Sequence, residues 1–126
     1  MYTLDWLQRR VRWHIEAREV VAQVFVAEDP RGQLVGHTIV RIDRDDGQEI
    51  GLFSTTFVDP ASRRFGVAKA LLDRGEQWMV EQGMSVAVTY TEEFNTKLQQ
   101  LYMSRGYSMS PMPKRFVKLA KTLGTG

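Results

Sequence analysis

The stretch that most constrains this chain is residues 58–72, V-D-P-A-S-R-R-F-G-V-A-K-A-L-L. An apolar run (Leu52, Phe53, Phe57, Val58) stops at Asp59-Pro60 and passes through a basic turn with one glycine. It then gives way to apolar positions at helical spacing. The order is strand, loop, helix. A helix start reached in this way presents unpaired backbone N–H groups and the positive end of the helix dipole, which together seat a phosphate. Gly66 lets the backbone approach closely, and Arg63 and Arg64 add fixed positive charge. On these residues alone an ordinary capped helix is the plainer explanation.

The surrounding chain builds a mixed sheet around that stretch. Leu4, Leu7, Val11 and Ile15 fall at spacings of three and four, which predicts a helix over 3–18. Valine-rich 20–28 and then 34–42 read as strands joined at Asp29-Pro30-Arg31-Gly32. Asp45-Asp46-Gly47 turns the chain into a third strand over 50–58. A helix over 67–82, stopped by Gly83, leads to a strand over 84–90, parallel to 50–58 because a strand-helix-strand crossover enforces that arrangement. Residues 95–105 form a short helix ending at Gly106; 107–109 and 115–119 are closing strands separated by Pro111 and Pro113, and 122–126 is a loose end.

At 126 residues there is room for one domain with one modest core, so 1–126 is read as a single domain. No apolar run approaches the ~20 residues that span a bilayer and no signal-peptide pattern opens the chain, so a cytoplasmic location is expected. With no cysteine there is no disulfide, no thiolate metal site and no cysteine nucleophile, and no metal is expected. Charge is uneven: residues 1–60 carry 7 basic and 10 acidic side chains, residues 61–126 carry 10 and 5, so the second half faces anions. No basic run is interleaved with aromatics, which argues against nucleic acid.

Two blocks carry a family resemblance. Arg63-Arg64-Phe65-Gly66-Val67-Ala68 resembles the R/Q-x-x-G-x-G/A loop that binds the acetyl-CoA pyrophosphate in the GNAT superfamily of N-acetyltransferases. The stretch from Asn95 to Tyr107, N-T-K-L-Q-Q-L-Y-M-S-R-G-Y, resembles the family's N-x-x-A-x-x-[FL]-Y-x-x-x-G-[FY]. The resemblance covers about 20–120 and implies an α/β (α+β) fold, a mixed, mostly antiparallel sheet flanked by helices. The family's first strand and first helix are expected to be absent, with helix 3–18 standing before the family's second strand. Where the family commonly has a glycine this chain has Arg64, and where it has a basic residue this chain has Phe65, so charge would enter the loop from a different direction.

The resemblance also implies roles. The N–H groups of Phe65, Gly66, Val67, Ala68 and Lys69 would cradle the pyrophosphate, with Arg63 as the motif's first position. Main-chain groups of Thr56, Phe57 and Val58 would pair with the pantetheine arm and polarise the thioester carbonyl if the strand is bulged; otherwise they belong to an ordinary central strand. Tyr102 would be the general acid for the departing thiolate, its plainer role being a core tyrosine sharing a face with Leu98 and Leu101. Asn95 would hold the pantetheine amide, cap the helix, or do both. For the general base, Glu49 and Glu92 are the candidates, with Glu93, His14 and His37 as alternatives; a solvated carboxylate is the plain reading of each glutamate.

The expected function is acyl-CoA N-acyltransfer, acetyl from acetyl-CoA to a primary amine by direct attack in a ternary complex. The alternative is a non-catalytic CoA-binding sensor or assembly subunit of the same fold. The expected partners are acetyl-CoA and an amine acceptor, with neither membrane nor nucleic acid. On the helix expected over 3–18, Tyr2, Trp6 and Trp13 would form an aromatic stripe beside Arg9 and Arg10, which predicts a homodimer or a wall of the acceptor cleft.

Overall fold

The computed structural model describes residues 5–15 and 18–124, with side chains described for 21–62 and 66–124. Its elements in chain order are β1 (Asp5–Ile15), β2 (Arg18–Glu28), β3 (Leu34–Asp45), β4 (Gln48–Val58), a 3₁₀ turn (Pro60–Phe65), α1 (Val67–Glu81), β5 (Val86–Glu92), α2 (Thr96–Met103), β6 (Ser108–Met112), a second 3₁₀ turn (Pro113–Arg115) and β7 (Phe116–Thr122). The described strands form one sheet in the order β1-β2-β3-β4-β5-β7-β6. All pairings are antiparallel except β4 with β5. This is the expected mixed, mostly antiparallel sheet.

The first element is a correction. Residues 5–15 form a strand, not a helix, and pair with β2 without interruption from Asp5↔Glu28 to Ile15↔Arg18. The stretch carries two periods: Val11, Trp13 and Ile15 alternate with Arg12 and His14, while Leu4, Leu7, Val11 and Ile15 fall at helical spacing. β-Branched and aromatic residues favour the extended form, and an eleven-residue ladder with the valine-rich partner decides between the two. The stripe of Trp6 and Trp13 therefore has no helix to lie on; Tyr2 and both tryptophan side chains lie outside the described residues.

Local turn chemistry accounts for the rest of the meander. The Asp29 carboxylate accepts from the N–H groups of Arg31 (2.8 Å) and Gln33 (3.0 Å), closing the β2–β3 turn. Asp46 and Gly47, at φ 53° and 81°, make the two-residue β3–β4 turn whose twist matches the flanking strands. The closing strands run further than expected, and Pro111 lies inside β6 rather than between strands; β6 is the sheet edge, where a missing N–H costs no ladder bond. Nor is 122–124 loose: Thr122 ends β7, and Leu123 is buried with its N–H on the Ser85 carbonyl.

Helix α1 crosses the sheet through Val67, Leu71, Leu72, Gly75, Trp78 and Met79, all buried. It comes close because Gly75 faces Phe53: a Cβ there would fall 2.9 Å from Phe53 Cζ and 3.2 Å from Val40 Cγ1. The main core holds Phe25, Val40, Phe53, Leu71, Leu72, Tyr102, Tyr107 and Leu119, on the face that α1 and α2 cover. Ile50, Leu52 and Val88 form a second cluster.

Candidate active site

The site begins where β4 and β5 part. Their parallel pairing is confined to Gly51↔Ala87 and Leu52↔Val88. Beyond it the Thr89 hydroxyl donates to the Phe53 carbonyl at 3.0 Å, satisfying a group that a continued ladder would otherwise have used. A cleft of about 400 Å³ opens there, walled by Thr56 and Val58 of β4, Ala68 in the first turn of α1, and Asn95, Lys97, Leu98 and Leu101 around α2.

One end of this cleft is the N-terminus of α1. Asp59 caps the preceding 3₁₀ turn, its carboxylate accepting from the Ala61 N–H at 3.2 Å, and Gly66 breaks that turn from α1 at φ 73°. Among the described residues no side chain caps α1, and its first-turn N–H groups stand at the mouth of the cleft beside Ala68. A Cβ at Gly66 would meet nothing within 4 Å, so the backbone faces open space. The donor set and shape therefore fit a phosphate-bearing ligand whose remainder lies in the cleft.

The inner wall is aimed by a bulge. Ile39 pairs with Thr55 and Val40 with Phe53, leaving Ser54 without a partner in the ladder. Positions 53 and 56, three apart, would lie on opposite faces of a regular strand. The extra residue brings both to the helix-covered face, where the Phe53 ring meets Tyr102 edge-on at 5.7 Å and Thr56 Oγ1 lies 3.3 Å from the Tyr102 hydroxyl.

Tyr102 itself is 1% exposed, held edge-on between Phe53 and Tyr107. Burial raises its pKa to about 12, and the neighbouring Thr56 and Thr89 hydroxyls, which can turn to donate once the phenol is ionised, oppose the rise. Thr56 Oγ1 is also 2.8 Å from Thr38 Oγ1, and Thr38 donates to the Thr55 carbonyl at 3.1 Å. With the single Thr38 proton so committed, Thr56 donates to Thr38 and accepts from Tyr102. The chain of hydroxyls thus runs Tyr102, Thr56, Thr38, carbonyl, and of its three members only Thr56 lines the cleft.

Of the residues expected at the site, Thr56, Val58, Ala68 and Asn95 come together in the cleft wall. Asn95 caps α2, its Oδ1 accepting from the Leu98 N–H at 3.3 Å, which leaves its Nδ2 donors for a ligand. Val67 is a core residue and Lys69 is exposed; each belongs to the α1 end through its backbone. Arg63, Arg64 and Phe65 lie in the 3₁₀ turn before Gly66, their side chains outside the described residues. Phe57, 49% exposed, packs beside His37 at 5.8 Å between ring centroids.

The two base candidates separate. Glu49 sits opposite Arg44 beside the β3–β4 turn, seven residues and roughly 23 Å along the strand from Thr56. Glu92 lies four residues past the last parallel pair, at the end of β5. Alternation puts Glu92 on the strand face of Val88, opposite the helices. The end of β5 is fixed by buried Gln99, whose amide donates to the carbonyls of Glu92 (3.1 Å) and Glu93 (2.9 Å). The exposed Glu93 carboxylate is 3.9 Å from Arg115 Nε. The His14 side chain lies outside the described residues. Lys97, Leu98 and Leu101 were not legible as site residues: a leucine pair at helical spacing reads as core, and only the tertiary opening turns its edge into a wall.

The acetyltransferase (GNAT) family model matches residues 1–107. The chain belongs to this family. A mycothiol acetyltransferase of Propionibacterium freudenreichii subsp. shermanii is 34% identical over 88 residues, 70% of this GNAT chain and 28% of the relative, so the chain spans well under half of that protein's length. Among solved structures, a putative acyl-CoA N-acyltransferase from Klebsiella pneumoniae superposes with a TM-score of 0.71 at 20% identity, covering 83% of this chain and 73% of that one. A chain of the NatC complex bound to Gag peptide and CoA superposes with a TM-score of 0.70 at 19% identity, covering 80% and 71%. These likenesses establish the GNAT fold. Among the described residues no helix is long and apolar enough to cross a membrane.

Proposed function

We propose that this GNAT chain transfers an acetyl group from acetyl-CoA to a primary amine by direct attack in a ternary complex. The observation that carries the reading is the parting of β4 from β5, which opens a cleft ending at the N-terminus of α1. The first-turn N–H groups from Gly66 to Lys69 would hold the pyrophosphate, and Val58 with Asn95 would align the pantetheine arm. The main-chain groups of Thr56 and Phe57 that point away from β3 would face the thioester carbonyl. Acetyl-CoA supplies an activated acyl carbon and a thiol leaving group. Glu92, on the sheet face away from α1, would take a proton from the incoming amine. Glu49, at the far end of β4, has no part in this arrangement. That a structure of like fold, the NatC complex, is bound to Gag peptide and CoA supports the reading.

The test is release of free thiol from acetyl-CoA against a panel of amines that includes amino sugars, polyamines and peptide N-termini. The expected result is amine-dependent thiol release together with a rise in melting temperature on adding CoA. A rise without release from any member of the panel would overturn transfer in favour of a CoA-binding subunit.

A further inference from the structure

Among the described hydroxyls, one reaches the cleft with a buried phenol behind it. Thr56 lines the opening, and the Tyr102 hydroxyl lies 3.3 Å behind Thr56 Oγ1, itself sealed in the core at 1% exposure. On the other side Thr56 is 2.8 Å from Thr38, whose own proton is held by the Thr55 carbonyl. The Ser54 bulge fixes this orientation, because without the extra residue Thr56 would lie on the face away from Tyr102.

We propose that Thr56 is the side chain that meets the departing sulfur, with Tyr102 acting behind it as a positioning residue. This rests on reading the cleft as the acetyl-CoA site. Rotation about the Thr56 Cβ–Oγ1 bond moves its proton from Thr38 to the cleft. Thr38 loses one accepted bond and keeps its donated one, so no buried donor is stranded. Tyr102 continues to donate to Thr56 Oγ1, which polarises the Thr56 O–H and strengthens it as a donor. As the acceptor nitrogen bonds to the acetyl carbon, the C–S bond breaks with its electron pair going to sulfur, and Thr56 donates a hydrogen bond to the resulting thiolate. The proton lost by nitrogen leaves through the carboxylate side to water, the thiolate takes its proton from solvent, and Thr56 and Tyr102 end as they began. Direct proton transfer from Tyr102 is disfavoured twice over: its oxygen is not part of the cleft wall, and a phenol held near about 12 does not readily yield its proton to a thiolate whose acid titrates near about 8.5.

The experiment titrates the thiol of bound CoA by its thiolate ultraviolet absorbance, in wild type, Thr56→Val, Thr56→Ser and Tyr102→Phe, with CoA binding followed separately by melting temperature. In wild type the bound thiol should titrate about one pH unit below free CoA, since a donated hydrogen bond favours the charged form. Thr56→Val should lose most of that depression, Thr56→Ser should keep it, and Tyr102→Phe should keep the larger part. Turnover should fall at least tenfold in Thr56→Val with the KM for acetyl-CoA unchanged. Loss of the whole depression in Tyr102→Phe, or its retention in Thr56→Val, would overturn the assignment, and the tyrosine variant decides the matter even if the valine variant does not fold. If CoA raises the melting temperature of none of the four proteins, the cleft reading itself fails and the assignment with it; binding without the titration pattern refutes the Thr56 role alone.

Discussion

The Thr89 hydroxyl donates to the Phe53 carbonyl at 3.0 Å, one residue beyond the last parallel pair of β4 and β5. It acts as a strut at the apex of the opening: the strands separate there, yet the carbonyl they abandon is not left bare in the core. Thr89→Val should therefore cost about 1–3 kcal/mol of stability, the scale of a buried acceptor losing its partner. Urea denaturation measures this, and the CoA-induced rise in melting temperature should shrink alongside as the apex loosens.

Gly66 combines a left-handed backbone with open space at the cleft mouth. Gly66→Glu should abolish the CoA-induced rise in melting temperature, because a side chain and a negative charge would stand where the phosphates approach. Gly66→Ala keeps the site uncharged and should lose only about 1 kcal/mol of stability through its positive φ. Equal CoA responses in wild type and Gly66→Glu would remove the loop from the binding site.

Gly75 lies where α1 crosses β4, and a Cβ there would intrude on Phe53. Gly75→Ala should gain up to ~1 kcal/mol in helix propensity and lose more to overpacking, for a net destabilisation of about 1–2 kcal/mol. Because the displaced Phe53 ring packs on Tyr102, thiol-release activity should fall as well. A stabilised, fully active Gly75→Ala protein would show that α1 can shift at no cost.

The buried phenols make the fold sensitive to alkali. Tyr102 titrates near about 12 in the folded chain against ~10 when unfolded, so between those values the folded state binds more protons and stability falls as pH rises. The loss should approach about 3 kcal/mol over the two pH units and be absent below about pH 9. Tyr107, pushed up by burial and by its 2.7 Å hydrogen bond to the Glu76 carboxylate, acts in the same direction. Denaturation midpoints from pH 8 to 11 should decline less steeply in Tyr102→Phe than in wild type; parallel curves would show that this phenol does not drive the loss.

Gly66 after an apolar strand, Asp46-Gly47 between two strands and Asn95 before a helix each act through a few neighbouring bonds. For that reason the strand, loop and helix around the anion seat, the β3–β4 hairpin and the parallel crossover into β5 were determined by the sequence itself. Residues 5–15 carry both helical and alternating periods, so their form depended on a partner strand, and pairing with β2 was a tertiary decision. The same holds for the site. Thr38, Thr56 and Tyr102 are 18 and 46 residues apart, and nothing local to any of them indicates that their hydroxyls meet. Only a bulge at Ser54, set by the register of β3 against β4, turns Thr56 toward the phenol and into the cleft, because a one-residue change in register reverses the face of every residue that follows.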